Sequence, residues 1–273
     1  MSKRQCDDLH VEKIGHVTLI EIQRPPLNYF DLSLIRQFAD ALGASDQDTD
    51  SRAVVIVAQG KAFCAGANFA TPSEVEIPPV PGNRAPDILN HSQHLYNEAV
   101  RIFRNKKPIV APVHGAAIGG GLGLALSADF RIACPETRFA ANFTKLGFHP
   151  GFGLTVTLVD LVGMNIAELM FYTSRRIGGE EAVRIGLANR CVPRERVRAE
   201  ALAPAQEIAE CAPLGLLATR ATLRDGLADK VLAATERELV EQTKLRATDD
   251  FREGSAHPRS VARRISSADS RAT

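Results

Sequence analysis

The chain has 273 residues, 45% of them hydrophobic, and a formal net charge of +1, enough for one large α/β domain or a core with a small appendage. The near-neutral balance argues against a nucleic-acid surface, which needs a clustered basic excess. The five cysteines are odd in number with no CxxC spacing, so they read as reduced thiols rather than a disulfide framework or a zinc site.

The N-terminus MSKRQCDDLHVEK lacks an apolar signal core and no apolar run is long enough to span a bilayer, so the expectation is a soluble cytoplasmic protein with no membrane partner. HVTLIEI reads as a strand, RPPLNYF as a turn, and DLSLIRQFADALGA as a helix with Asp31 as its N-cap. RAVVIVAQ, apolar without alternation, reads as a strand covered on both faces. Thr71 to Pro86 holds five prolines in sixteen residues, which excludes a regular element and predicts a surface loop near a site. DILNHSQHLYNEAVRIFRN then reads as a helix, KKPIVAPVHG as a strand, AAIGGGLGLALSAD as glycines opening a helix, and FRIACP as a fourth strand. Beyond Phe152 almost everything reads helical. Strand–helix alternation followed by an all-helical third predicts an α/β fold.

Two glycine-rich stretches, GKAFCAGANF (Gly60 to Phe69) and IGGGLGL (Ile118 to Leu124), each follow a strand. IGGGLGL fails the dinucleotide pattern GxGxxG, because both positions that need the last glycine, 124 and 126, are leucine. No GK[ST] is present, so there is no P-loop. Glycine here serves either close helix–strand packing or exposure of bare backbone amides. Two such loops can converge on one oxygen as an oxyanion hole.

With these loops in view, the chain resembles the enoyl-CoA hydratase/isomerase (crotonase) superfamily. The matching stretches are RPPLNYF, VVIVAQGKAFCAGANF, KKPIVAPVHGAAIGGGLGLALSADFRIA, RFAANFTKLGFHPGFGLTVTLVDLVG and GGEEAVRIGLANRCVP, in family order from about residue 15 to about residue 255. The resemblance implies a spiral of ββα units as the core (residues 1–200) and a helical C-terminal trimerisation region and tail (201–273), assembled as a trimer or dimer of trimers. It implies an acyl-CoA thioester as substrate and no further cofactor or metal. It makes the backbone N–H groups of Ala67 and Gly120 the oxyanion donors. It puts Arg24, Pro26, Leu27, Ala65, Asn68, Phe69, Gly119 and Phe143 at substrate-binding positions.

The chain departs from the family where hydratases carry their two glutamates: those positions are Gly123 and Phe143. An aspartate used by dienoyl isomerases and a dehalogenase is Gly151. Efficient hydration is therefore not expected, since each positioned acid or base is typically worth about 10²–10⁴-fold. Candidates for proton transfer are His149, in LGFHPGFG, and Tyr96, whose offset from KKP matches an active-site histidine of the dehalogenase. His91 and His94 lie beside the proline-rich loop. Cys64 reads as a packed residue rather than a nucleophile, and Asp160 as facing solvent or making an ion pair. Phe69, Phe143, Phe148 and Phe152 suggest an apolar wall, and Arg259, Arg263 or Arg264 a contact to CoA phosphates. The expectation is an acyl-CoA-transforming enzyme of this family with a non-hydratase acid/base set. The alternative is a catalytically silent acyl-CoA binder.

Overall fold

The computed structural model describes residues 8–67 and 95–256. The strands are β1 (Leu9–Ile14), β2 (Val17–Ile22), β3 (Ala53–Ala58), β4 (Ile109–Val113), β5 (Ala116–Ile118), β6 (Phe130–Ala133), β7 (Arg138–Ala140), β8 (Ile177–Gly178) and β9 (Arg190–Cys191). One sheet has the order β1-β2-β3-β4-β6-β9; only its β1–β2 edge is antiparallel. A smaller sheet has the order β5-β7-β8. The helices are α1 (Leu32–Gln47), α2 (Leu95–Phe103), α3 (Gly120–Ser127), α4 (Leu154–Val162), α5 (Met164–Thr173), α6 (Gly179–Arg184), α7 (Val197–Glu210), α8 (Pro213–Leu223), α9 (Leu227–Arg246) and α10 (Asp249–Ala256). No helix among the described residues is long and apolar enough to cross a membrane.

The unbroken apolar run of β3 has a simple cause: the large sheet is covered on both faces. On one face Val17, Leu19, Val55, Val57 and Val110 pack against Val197, Ala201, Ala205 and Ala209 of α7. On the other, Ile20, Ile22, Val54 and Ile56 meet Leu34, Ile35, Phe38 and Leu42 of α1 together with α2. Asp31 caps α1 by accepting from Leu34 N at 2.9 Å, as the sequence predicts. α7 spans residue 200, the boundary expected between core and C-terminal region, and belongs to the packing of the large sheet. Beyond Phe152 the described chain is almost all helical, as the sequence reads, with the two-residue strands β8 and β9 as exceptions, and AAI forms β5 rather than leading directly into the helix. Strands of two or three residues are too short to show a period.

The turn after β2 is anchored by one buried side chain. Asn28 has a left-handed backbone (φ 51°), which asparagine tolerates better than most residues. Its amide donates to the carbonyls of Gln59 at 2.6 Å and Ala62 at 2.8 Å, and its Oδ1 accepts from Arg24 N at 3.1 Å. This ties RPPLN to the chain leaving β3. Replacing Asn28 by alanine strands two carbonyls, and we expect a loss of about 3 kcal/mol in urea unfolding with an unchanged m-value. A change under about 0.5 kcal/mol, the range of ordinary surface substitutions, would show that the clip is dispensable.

Candidate active site

The chain leaving β3 is laid against two neighbours by its backbone. Lys61 N and Ala62 N donate to Pro26 O at 2.9 and 3.3 Å, and Ala65 N donates to Leu27 O at 3.0 Å. Cys64 N donates to Ala116 O, and Ile118 N returns a bond to Cys64 O, both at 3.0 Å. Phe30 N donates to Gly66 O at 3.0 Å. Gly66 has φ +84°, and a Cβ there would lie 2.7 Å from Ile118 O and 3.5 Å from Gly120 N. The peptide joining Gly66 to Ala67 therefore sits beside the start of α3. Among the described residues no backbone acceptor takes the Ala67 or the Gly120 amide hydrogen. Gly119, with φ +55°, turns the chain into α3, where Leu122 N and Gly123 N donate back to Gly119 O at 3.0 and 3.2 Å while the Gly120 amide precedes the first such bond.

Aromatic rings surround this start of α3. A side chain on Gly120 would collide with the ring of Phe30, and one on Gly121 with the carbonyl of Cys64. A Cβ on Gly123 would lie 2.8 Å from Phe152 Cβ, so the Phe152 ring fills the space in front of that glycine. Phe152 itself has φ 63°, a conformation that bulky residues rarely adopt. Its ring packs 5.6 Å from Phe30 and 6.4 Å from Phe103. Phe143 Cζ lies 3.6 Å from where a Cβ on Gly119 would stand. Of the apolar wall read from the sequence, Phe143 and Phe152 line this start of α3. Phe148 is buried, but its ring packs on Phe251 of α10 at 4.9 Å.

The chain from His149 to Thr155 is gripped by α9. Tyr96 Oη donates to Gln242 Oε1 at 2.8 Å, and Gln242 Nε2 donates to His149 O at 3.0 Å and Pro150 O at 3.2 Å. A side chain on Gly151 would run into Tyr96 Oη and stand 2.5 Å from Gln242 Nε2. One turn before Gln242 on α9, the buried Glu238 accepts from Gly153 N at 2.9 Å, Thr155 N at 3.2 Å and Thr155 Oγ1 at 2.7 Å, capping α4 from outside its own segment. Burial raises the Glu238 carboxyl above its ordinary range. Burial, with the Glu238 charge nearby, pushes the Tyr96 phenol up. Tyr96 is thus a neutral hydroxyl whose proton goes to Gln242. His149 is half-buried, with Nδ1 2.8 Å from the carbonyl of Pro150. A carbonyl only accepts, so this contact places the ring proton on Nδ1 and leaves the Nε2 lone pair open in the neutral ring.

Other expected site residues fall as follows. The Arg24 guanidinium is held by Asp8 at 2.6 Å and Asp31 at 2.8 Å, so it braces the turn. Pro26, Leu27 and Ala65 meet the loop through the backbone bonds above. Asp160 is exposed. Asn68, Phe69, His91, His94, the proline-rich loop, Arg259, Arg263 and Arg264 lie outside the described residues. Three contributors escaped the sequence reading: Asn28, Glu238 and Gln242. Asn28 stood inside a quoted motif; the other two sit on a largely polar helix with no local signal. Among the described residues no three His, Cys, Asp or Glu side chains gather as metal ligands.

Comparison with known proteins agrees with this architecture. The family profile described as enoyl-CoA hydratase/isomerase matches residues 12–257. A probable enoyl-CoA hydratase of Rhizobium meliloti is 35% identical over 259 residues, covering 92% of this chain and 94% of that one. A carnitinyl-CoA dehydratase of Escherichia coli is 31% identical over 222 residues, 80% of each chain. The crystal structure of an enoyl-CoA hydratase/isomerase from Pseudoalteromonas atlantica superposes with a TM-score of 0.77 at 29% identity, covering 91% of this chain and 95% of that one. The chain belongs to the enoyl-CoA hydratase/isomerase family, with the crotonase fold, and is an enzyme of that family acting on CoA thioesters.

The placement of Cys64 yields a pH test. Its side chain is fully buried, and burial pushes the thiol up to about 12. The thiolate fraction at pH 8 is then about 10⁻⁴, and rises tenfold per pH unit below that value. In the native enzyme a thiol reagent at pH 8 should modify the exposed Cys211 and spare Cys64, as read by peptide mass spectrometry. Rapid native labelling of Cys64 at pH 8 would contradict this placement.

Proposed function

We propose that the Ala67 and Gly120 amides hold the thioester oxygen of an acyl-CoA as it gains charge on the way to an enolate. The observation that carries this reading is the approach of Gly66 to Gly120 N, with both amides lacking a backbone acceptor among the described residues. Preorganised N–H donors in apolar surroundings stabilise a developing oxyanion without reorganising, and one such donor is typically worth about 3–4 kcal/mol. Phe30, Phe143 and Phe152 supply the apolar surroundings. Pro26, Leu27, Ala65 and Gly119 flank the thioester, and the chain continues into Asn68 and Phe69. The only cofactor chemistry this reading calls on is the CoA of the substrate.

Hydration needs a base for water and an acid for the α carbon. Here residue 123 is glycine under the Phe152 ring and residue 143 is phenylalanine. We therefore read the chemistry as proton movement at the α carbon by His149 through Nε2, without an efficient hydratase pair. Tyr96 supports the loop rather than transferring protons. A catalytically silent binder is the second reading, favoured by the filling of the space at Gly151 by Tyr96 and Gln242. The exposed Met164, Leu169 and Tyr172 of α5, with Leu214 and Leu223 of α8, suit association with further copies as a trimer or dimer of trimers. The free thiols suit a reducing cytoplasm.

Incubation with a panel of acyl- and enoyl-CoA thioesters in deuterated water tests this. We expect deuterium at the α carbon of at least one acyl-CoA, slowed about 10²–10⁴-fold in His149→Ala. Crotonyl-CoA hydration should stay near background, and Gly123→Glu should not restore it because the new side chain meets Phe152. Tight binding with no exchange across the panel would favour the silent binder. Crotonyl-CoA turnover at ordinary enzyme rates would sink the non-hydratase reading.

A further inference from the structure

One face of α9 presents three long polar side chains a turn apart, Glu238, Gln242 and Arg246. The first two have their partners in the loop that carries His149: Glu238 takes three donors at Gly153 and Thr155, and Gln242 bonds the carbonyls of His149 and Pro150. The third has none. Arg246 Nε is buried without a hydrogen-bond partner, and among the described residues no carboxylate pairs with this guanidinium. Other arginines of the C-terminal helices are paired: Arg220 with Asp129 at 3.1 Å, Arg237 with Glu241 at 2.9 Å, Arg252 with Asp249 at 3.1 Å.

Arg246 is also held in place. Its Cζ stands 5.1 Å from the ring centroid of Phe148 and 5.8 Å from that of Phe251, so two aromatic faces fix the guanidinium. Phe148 directly precedes His149. Gln242, about 6 Å away along the helix face, receives the Tyr96 hydroxyl, which fills the space where residue 151 lacks a side chain. Burial opposes the charge on Arg246, and no described carboxylate offsets that cost. A fixed, partly desolvated cation beside the reacting loop is suited to an anion that arrives with the ligand.

We infer that Arg246 receives a carboxylate on the acyl group, making the preferred substrate a dicarboxylic acid mono-thioester of CoA. This rests on the acyl-CoA reading above and names the acyl class for the same site. The carboxylate is assigned to the acyl group rather than to the CoA phosphates because Arg246 adjoins the loop of His149 and the Tyr96–Gln242 pair. The thioester carbonyl lies at Ala67 and Gly120, so the carboxylate sits at the far end of the acyl chain from that carbonyl.

Binding isotherms at fixed ionic strength test it without needing turnover. The full-length protein would be titrated with malonyl-, succinyl- and glutaryl-CoA, with butyryl-CoA, and with free CoA. We expect one of the dicarboxylic thioesters to bind about 10- to 100-fold tighter than butyryl-CoA, the range for a charge-assisted hydrogen bond. Arg246→Met should erase that preference while leaving butyryl-CoA within about twofold, and Arg246→Lys, which keeps the charge but not the fork, should retain part of it. Equal weakening of every thioester and of free CoA in both variants would assign Arg246 to the phosphates or to folding, and overturn the inference. So would a wild-type protein with no preference at any chain length; butyryl-CoA binding would then leave the acyl-CoA reading standing. Failure to bind any thioester would remove both.

Discussion

Two segments of backbone approach so closely near the end of β3 and around β5 that no side chain fits between them. Cys64 and Ala117 pair as an isolated parallel bridge, Gly66 faces the carbonyl of Ile118, and Gly121 faces the carbonyl of Cys64. β3 belongs to the large sheet and β5 to the small one, so this contact joins the two sheets. It also brings the peptide after Gly66 beside the first turn of α3, where the Ala67 and Gly120 amides have no backbone acceptor among the described residues. The glycines are required by specific carbonyls a few ångströms away, which is a stronger constraint than turn formation. Asn28, the Pro26 and Leu27 carbonyls and Phe30 N–H all serve to hold the first segment at that distance.

What surrounds the two amides is apolar. Phe152 occupies the space before Gly123, and the Tyr96–Gln242 pair occupies the space at Gly151. The filling of this space goes with backbone features: Phe152 adopts a left-handed conformation, and Glu238 ties down the peptides just after it. The site loop is therefore specified from α9, on the far side of the sequence. An N–H to oxyanion bond gains strength in such low-polarity surroundings, and the same surroundings penalise any carboxylate placed there unpaired.

Much of this was legible in the sequence for definite reasons. RAVVIVAQ announced a strand covered on both faces, Asp31 announced a helix start, and two glycine stretches after strands announced a close approach of backbone. The family resemblance rested on those same stretches. Partnerships across long sequence separations were not legible: Tyr96 bonds a residue 146 positions away, and Glu238 one 85 away. Tyr96 looked like a proton-transfer residue because its offset from KKP matches a family position; which acceptor its hydroxyl finds is decided by α9. The strands β5, β7, β8 and β9 were unreadable because two or three residues carry no periodicity.

The central claim, that the Ala67 and Gly120 amides polarise a thioester carbonyl, can be measured on the carbonyl itself. A saturated acyl-CoA labelled with ¹³C at the thioester carbon would be bound to the enzyme and its carbonyl followed by infrared and NMR spectroscopy. The account predicts a lower stretching frequency and a downfield resonance relative to the free thioester, both lost in Gly66→Ala, where the added Cβ meets the Ile118 carbonyl at 2.7 Å. A bound carbonyl with the frequency and shift it has in water, or one unchanged by Gly66→Ala, would contradict it.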